Sequence, residues 1–266
     1  MTGAIKSELR KFFTTRLWWG MGIAIFVAGG GLALLFGLVL TSVSGADGAT
    51  QSELQLTSTV FTGGIGLVYL LTLAIGVMTI GSEYRHKTIT STFLSTPKRL
   101  EVMGAKVVSL LVIGAMYGVL SLVASVGIGT AVLTGKGHHP FADSSIWRTL
   151  ALALLVLGLW ALIGLGAGIL IPNQVAALLI SIGVAWIVEP ILGGVLSLAS
   201  WGRDISPYFP SQATSAMLGT GGGGGFGGAG TTVTVLSWWA GALVLAAYAA
   251  VMAGVGSALT VRRDIS

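Results

Sequence analysis

Cysteine is absent from this chain of 266 residues, which excludes disulfides, iron–sulfur clusters and thiolate metal sites. Charge is nearly as scarce. Asp, Glu, Lys and Arg make up 9% of the residues, against about 25% in soluble domains. So little charge cannot coat a soluble globule. No phosphate-binding loop is present. The nearest match, Gly129-Thr-Ala-Val-Leu-Thr-Gly135-Lys136-Gly137, has one residue too many between its glycines. Gly137 also stands where a Ser or Thr should hold magnesium. An intramembrane protease would need His-Glu-x-x-His, an aspartate pair or a serine–histidine arrangement, and none occurs. The chain is therefore expected to be non-catalytic, with no cofactor or metal of its own. His138-His139 beside Asp143 reads as a solvated polar loop rather than a metal site.

What remains is apolar. The chain is 54% hydrophobic with 41 glycines, and its mean hydropathy is +0.91. Long apolar runs and small residues that let helices approach closely are the composition of a multi-pass membrane protein. Crossing a hydrocarbon core takes about 20 residues of helix. Six runs qualify, near Leu17–Leu40, Val60–Ile80, Val102–Leu133, Trp147–Ile171, Val175–Ala199 and Trp238–Val261. The first is too long for the apolar core of a signal peptide and reads as an uncleaved span. The fold expected is all-α, a single transmembrane domain over residues 1–266.

Lys and Arg set the orientation. With the N-terminus inside, the inner segments hold Lys6, Arg10, Lys11, Arg16, Arg85, Lys87, Lys98, Arg99, Lys106, Arg262 and Arg263. The outer segments hold only Lys136, Arg148 and Arg203. Both termini are then cytoplasmic, and the net charge of +5 is a topology signal that needs no nucleic acid. In residues 1–16, Ile5, Leu9, Phe12 and Phe13 recur at helical spacing among the basic residues. This predicts an amphipathic helix lying in the headgroup layer, apolar face down. The outer connections are a polar segment at about Thr41–Thr59, a loop containing His138 and His139, and a long segment over 200–237. The first half of that last segment is expected to be partly helical, and the glycine run Gly219–Gly230 to be a linker. Pro172-Asn173-Gln174 makes a tight inner turn.

Only Glu189 lies deep in a span, in Ala185-Trp-Ile-Val-Glu-Pro-Ile. An intramembrane acid is costly and is a functional candidate by default. The plainer alternative is that it bonds neighbouring Trp, Ser or backbone groups. Glu189 and Trp186 are the candidate substrate-pathway residues. Gly114-x-x-x-Gly118 and Gly164-x-x-x-Gly168 are close-packing motifs, read as packing within one chain.

The densest charge lies between the second and third spans. Glu83, Arg85, Lys87, Lys98, Arg99, Glu101 and Lys106 are seven of the 23 formal charges (14 basic, 9 acidic). Ile89, Phe93 and Leu94 form an apolar stripe, which predicts a short amphipathic helix across the cytoplasmic face. Thr96 and Pro97 read as N-cap and first residue of the next helix. The residues alone allow a partner-docking segment or a positive-inside loop without a partner.

Glu83-Tyr-Arg-His-Lys-Thr-Ile-Thr, then Ser95-Thr-Pro-Lys-Arg and Gly104-Ala-Lys106, resembles the inner loop of type-2 ATP-binding cassette (ABC) transporter permeases. Lys87 stands where many members carry Gly. The layout is similar too, from N-terminal amphipathic helix to large last outer loop, where Ile205–Leu218 matches the family's short re-entrant helices. The resemblance implies a bacterial inner-membrane permease that exports a drug, antibiotic or lipid-like compound. A separate ATPase subunit would bind the ATP and magnesium. The segment 82–101 would be the coupling segment, with Glu83, Tyr84, Arg85, His86, Lys87, Thr88 and Phe93 facing the ATPase. A second permease copy, identical or similar, would complete the pathway. Two alternatives remain: a sensing or regulatory subunit of the same type, and an ATP-independent secondary carrier coupled through Glu189.

Overall fold

A computed structural model describes residues 2–47, 52–86, 99–220 and 236–262. Among these residues the chain is all-helical, with no strand. The helices are α1 (Thr2–Thr14), α2 (Leu17–Asp47), α3 (Glu53–Thr62), α4 (Ile65–Arg85), α5 (Arg99–Gly135), α6 (Ser145–Leu170) and α7 (Gln174–Gly183). A π-helical turn, Val184–Val188, joins α7 to α8 (Glu189–Ser197). Then come α9 (Ser200–Ile205), a 3-10 turn at Ser206–Tyr208, α10 (Pro210–Leu218) and α11 (Trp238–Arg262). Six helical segments are long and apolar enough to cross a membrane: Leu17–Ser42, Glu53–Arg85, Glu101–Gly135, Ser145–Leu170, Gln174–Leu196 and Trp238–Gly256. The chain is thus a multi-pass membrane protein.

The second and fourth spans are central. Each is 78% buried, against 17% for the fifth and 22% for the sixth. Glycine lets the central pair touch. A Cβ on Gly76 would strike the Ala161 carbonyl, and one on Gly164 would strike the Leu73 carbonyl. Gly168 rests on Val77 and Ile80, Gly114 on Gly158, and Gly118 on Leu154. Both small-residue motifs therefore pack within the chain. Tyr69, Leu73, Leu157, Trp160 and Leu165 fill the main core around these contacts. Close backbone approach of this kind replaces the hydrophobic drive that lipid removes.

The polar connection expected at Thr41–Thr59 is largely helical instead. α2 runs on to Asp47 and α3 starts at Glu53. Ser52 caps α3, accepting from the Gln55 N–H at 3.2 Å. Leu56, Val60 and Phe61 recur on one face and are buried with Ala33, Leu133 and Ile146. That buried stripe outweighs the polar composition. The second span is interrupted at Gly63 and Gly64, where Gly64 packs against Ala28 and Gly29 of α2.

The N-terminal helix also differs from expectation. Its apolar face is turned onto the protein. Phe12 is buried with its ring 6.0 Å from Tyr117, edge to face, and the Tyr117 hydroxyl donates to the Trp18 carbonyl at 2.7 Å. Leu9 packs on the same core. Phe13 and Trp18 stay exposed, their rings 5.9 Å apart, together with Trp19. Trp147, Trp201, Trp238 and Trp239 are exposed near the opposite end, so aromatics mark both ends of the bundle as interfacial belts do.

Asn173 caps α7, accepting from the Val175 and Ala176 N–H groups at 3.0 and 3.1 Å, which closes the α6–α7 hairpin. Gly219 ends α10 with φ +69°, a left-handed conformation that favours glycine. The amphipathic helix expected around Ile89, Phe93 and Leu94, the Thr96–Pro97 helix start, and most of the Gly219–Gly230 run lie outside the described residues.

Gly164→Ala should lower the melting temperature in detergent, at an overpacking cost of about 1–3 kcal/mol. Gly31→Ala has open space around its Cβ and should be neutral or stabilising, since alanine favours helix over glycine by about 1 kcal/mol. Equal melting of the two variants would refute the α4–α6 contact.

Candidate functional site: a buried ion cluster and a lone carboxylate

Three helices meet at the end of the bundle that carries α1, and each brings charge. α1 contributes Glu8 and Lys11, one turn apart. α4 contributes Glu83 in its last turn, and α5 contributes Lys106 from its second turn. The Lys106 ammonium lies 2.6 Å from Glu8 Oε2 and 2.7 Å from Glu83 Oε1. Lys11 lies 2.7 Å from Glu8 Oε1 and 2.8 Å from the same Glu83 oxygen. The four charges alternate in a closed ring of zero net charge. Lys106 is 1% exposed, Glu83 6% and Glu8 7%; only Lys11 reaches solvent. Glu83 Oε2 is buried with no protein partner.

The ring is a consequence of burial. An ammonium taken out of water costs several kcal/mol unless carboxylates replace its hydration, and charge-assisted hydrogen bonds do so at these distances. Burial alone would raise the Glu8 carboxyl. The Lys106 charge, with hydrogen bonds from Lys106 and Lys11, outweighs burial and holds it below the usual carboxylate range. Burial would likewise lower Lys11, but the hydrogen bonds it donates to Glu8 and Glu83 raise it above an ordinary lysine.

A second acid lies towards the far end. The Glu189 N–H reaches the Val184 carbonyl, five residues back, closing the π turn. Pro190 follows at the start of α8. The Glu189 side chain is buried and accepts the Ser211 N–H at 2.6 Å, at the N-terminus of α10. Trp160 of α6 holds the same helix one turn later, donating to Thr214 Oγ1 at 3.0 Å. Tyr69 of α4 stacks on Trp160 at 4.2 Å. Also at the far end, His138 pairs with Glu53 at 2.9 Å. Asp143 is held below the usual carboxylate range by the Ser145 backbone N–H. Among the described residues no group of three or more His, Cys, Asp or Glu is placed to hold a metal.

Of the residues singled out in the sequence, Glu83 is buried inside the ion ring. Tyr84 packs partly buried on the main core, while Arg85 and His86 are exposed. Lys87, Thr88 and Phe93 lie outside the described residues. Glu189 is buried, but Trp186 is half-exposed on the outward side of the same span. Trp160 is the tryptophan that shares α10 with Glu189. Sequence reasoning missed Glu8 altogether, took Lys11 as a topology charge, and placed Lys106 in the charged segment and its Gly104-Ala-Lys106 motif without an ion partner. One signal was present: Glu8 is the single acid among the basic residues of segment 1–16. Comparison with family models, with curated proteins and with solved structures returned no match.

Lys106→Met leaves two buried carboxylates without their main partner and should cost about 3–5 kcal/mol, read as a drop in melting temperature. Adding Glu8→Leu and Glu83→Leu should recover most of the loss; no recovery would show that packing, not charge, sets the cost. The pH dependence has a definite sign. The lowered Glu8 contributes fully above about pH 4.3 and fades as pH falls through its depressed value. The raised Lys11 contributes fully below about pH 10.4 and fades as pH rises beyond it. Melting temperature should therefore lose a Glu8-dependent part in acid, and a second part above about pH 10.4 as Lys11 deprotonates; the acid loss should be absent from Glu8→Leu and the alkaline one smaller.

Proposed function

We propose that this chain is the membrane permease subunit of an ATP-driven ABC-type exporter, energised by a separate ATPase subunit docked at the α1 end. That end is cytoplasmic by its Lys and Arg content, and the membrane is the bacterial inner membrane. The observation that carries the reading is the ion ring. It ties together the helix before the 86–98 connection, the helix after it and the N-terminal helix, so that connection springs from a stiff base. A connection anchored at both ends this way can pass a partner's movement into the first three spans. Arg85 and His86, exposed at the edge of the ring, supply the first docking contacts. Glu83 acts from beneath, positioning the helix end rather than touching the ATPase. Two copies, or one copy with a similar permease, enclose the path. The cargo is hydrophobic or amphipathic. Glu189, an acid without a basic partner among the described residues, supports a second reading as a proton-coupled carrier.

The absence of cysteine makes the test direct. Single cysteines at His86 and Lys136 should label with impermeant maleimide from opposite sides of the membrane. Tagged protein should co-purify with an ATPase subunit, and Arg85→Glu with His86→Glu should weaken that association at least about tenfold, or ~1.4 kcal/mol. Lys136→Glu should not. Same-side labelling, or an ATPase indifferent to both inner substitutions, overturns the assignment; pH-driven transport without any ATPase would establish the carrier instead.

A further inference from the structure

Three glutamates are buried among the described residues: Glu8, Glu83 and Glu189. The first two are each held by Lys11 and Lys106. Among the described residues, no Lys, Arg or His pairs with Glu189. Its protein partner is Ser211, whose N–H it accepts at the N-terminus of α10, a helix end that carries about half a positive charge. The chain gives its other two buried acids full lysine charges and sets only a helix end against this one, in an apolar layer where a charge costs several kcal/mol.

The surroundings of Glu189 are aromatic. Ser211, whose N–H it accepts, and Thr214, which takes the Trp160 indole N–H, lie one turn apart on α10. Tyr69 lies nearly parallel to Trp160, at 12°, so the acid and the π faces belong to one locality around α10. A carboxylate beside aromatic faces attracts an organic cation. It is a poor site for a bare metal ion, since calcium and magnesium take six or more oxygen ligands. The locality also borders lipid. Val188, Ile191 and Leu192, which flank Glu189 in sequence, are exposed on the outward side of a span that is only 17% buried. The adjoining π turn is a helix irregularity of the kind often found at functional sites.

We infer that Glu189 selects the charge of the cargo, and that the cargo is a lipophilic cation: an apolar body carrying a quaternary or protonated positive centre. Such a molecule partitions into the bilayer, approaches along the exposed fifth span and gives Glu189 the counter-charge the fold withholds. The exposed Val188, Ile191 and Leu192 side chains of the fifth span take its apolar body. This inference rests on the permease reading for its role in transport, but the binding is a property of this chain alone.

The test therefore omits any ATPase. Purified protein in phosphatidylcholine nanodiscs is titrated with radiolabelled tetraphenylphosphonium, and separately with tetraphenylborate, an anion of nearly the same size and shape. Saturable binding of the phosphonium, at least tenfold weaker in Glu189→Gln, and no saturable binding of the borate are expected. Glutamine keeps an oxygen for the Ser211 N–H, so an unchanged melting temperature shows that the variant is folded. If it does not fold, the wild type is treated with dicyclohexylcarbodiimide, and labelling of Glu189 is followed by mass spectrometry. Slower labelling in the presence of the phosphonium supports the site. Undiminished binding by the glutamine variant, equal binding of the borate, absence of saturable phosphonium binding or unslowed labelling each overturns it. Cation binding without ATPase association would refute only the permease reading, and ATPase association without cation binding would refute only this inference.

Discussion

The ammonium of Lys106 is the charge around which one end of this bundle is organised. At 1% exposure it has no water to fall back on, so two carboxylates must be delivered to it from distant parts of the chain. Glu83 arrives from 23 residues earlier and Glu8 from 98 residues earlier. Delivering Glu8 fixes α1 across the start of α5. Phe12 then meets Tyr117, and the Tyr117 hydroxyl takes the Trp18 carbonyl at the start of the first span. The pairing thus adds a fixed point to a seam where Gly29 rests on Ser121 and Gly30 on Ala124 and Ile128. Pairing of this kind is directional, unlike contact between apolar surfaces in lipid, so it specifies an arrangement that apolar packing alone would leave degenerate.

The same reasoning separates the two acidic localities. In a low dielectric a completed ring of charges is stiff, because breaking any one bond strands a buried charge. A carboxylate with a single backbone partner has no such constraint. The protein therefore spends its lysines on the ring at the α1 end and leaves Glu189 open, beside the π turn and the short helix that it holds by one hydrogen bond.

The six spans were legible in the sequence because hydropathy reports them directly, and the tight turn at Asn173 because its capping chemistry is local. The contribution of α3 was obscured by Ser, Thr, Gln and Glu, although Leu56, Val60 and Phe61 already carried a helical stripe. Tryptophans were harder. In a helix that is apolar all round, periodicity does not say which face is inward, so Trp186 was singled out for its place beside Glu189, and nothing local marked Trp160 as the one that meets α10. The ion ring was the least legible feature. Charges near the ends of spans satisfy the positive-inside rule whether or not they pair, and nothing local links Glu8 to Lys106.

α4 joins the two localities physically. Glu83, in the ring, and Tyr69, on the Trp160 stack, lie 14 residues apart on one helix, about 21 Å at 1.5 Å per residue. Between them Gly76 is seated against the Ala161 carbonyl, and Leu73 against Gly164. Glycine contacts between backbones leave little slack, because there are no side chains to rotate out of the way. A displacement of α4 at its Arg85 end therefore either strains the two lysine contacts of Glu83 or carries through to Tyr69. Under the permease reading proposed above, the central helix would act as a coupling rod: its buried charge would set the resistance at one end, and its aromatic stack would move against the helix that Glu189 holds at the other.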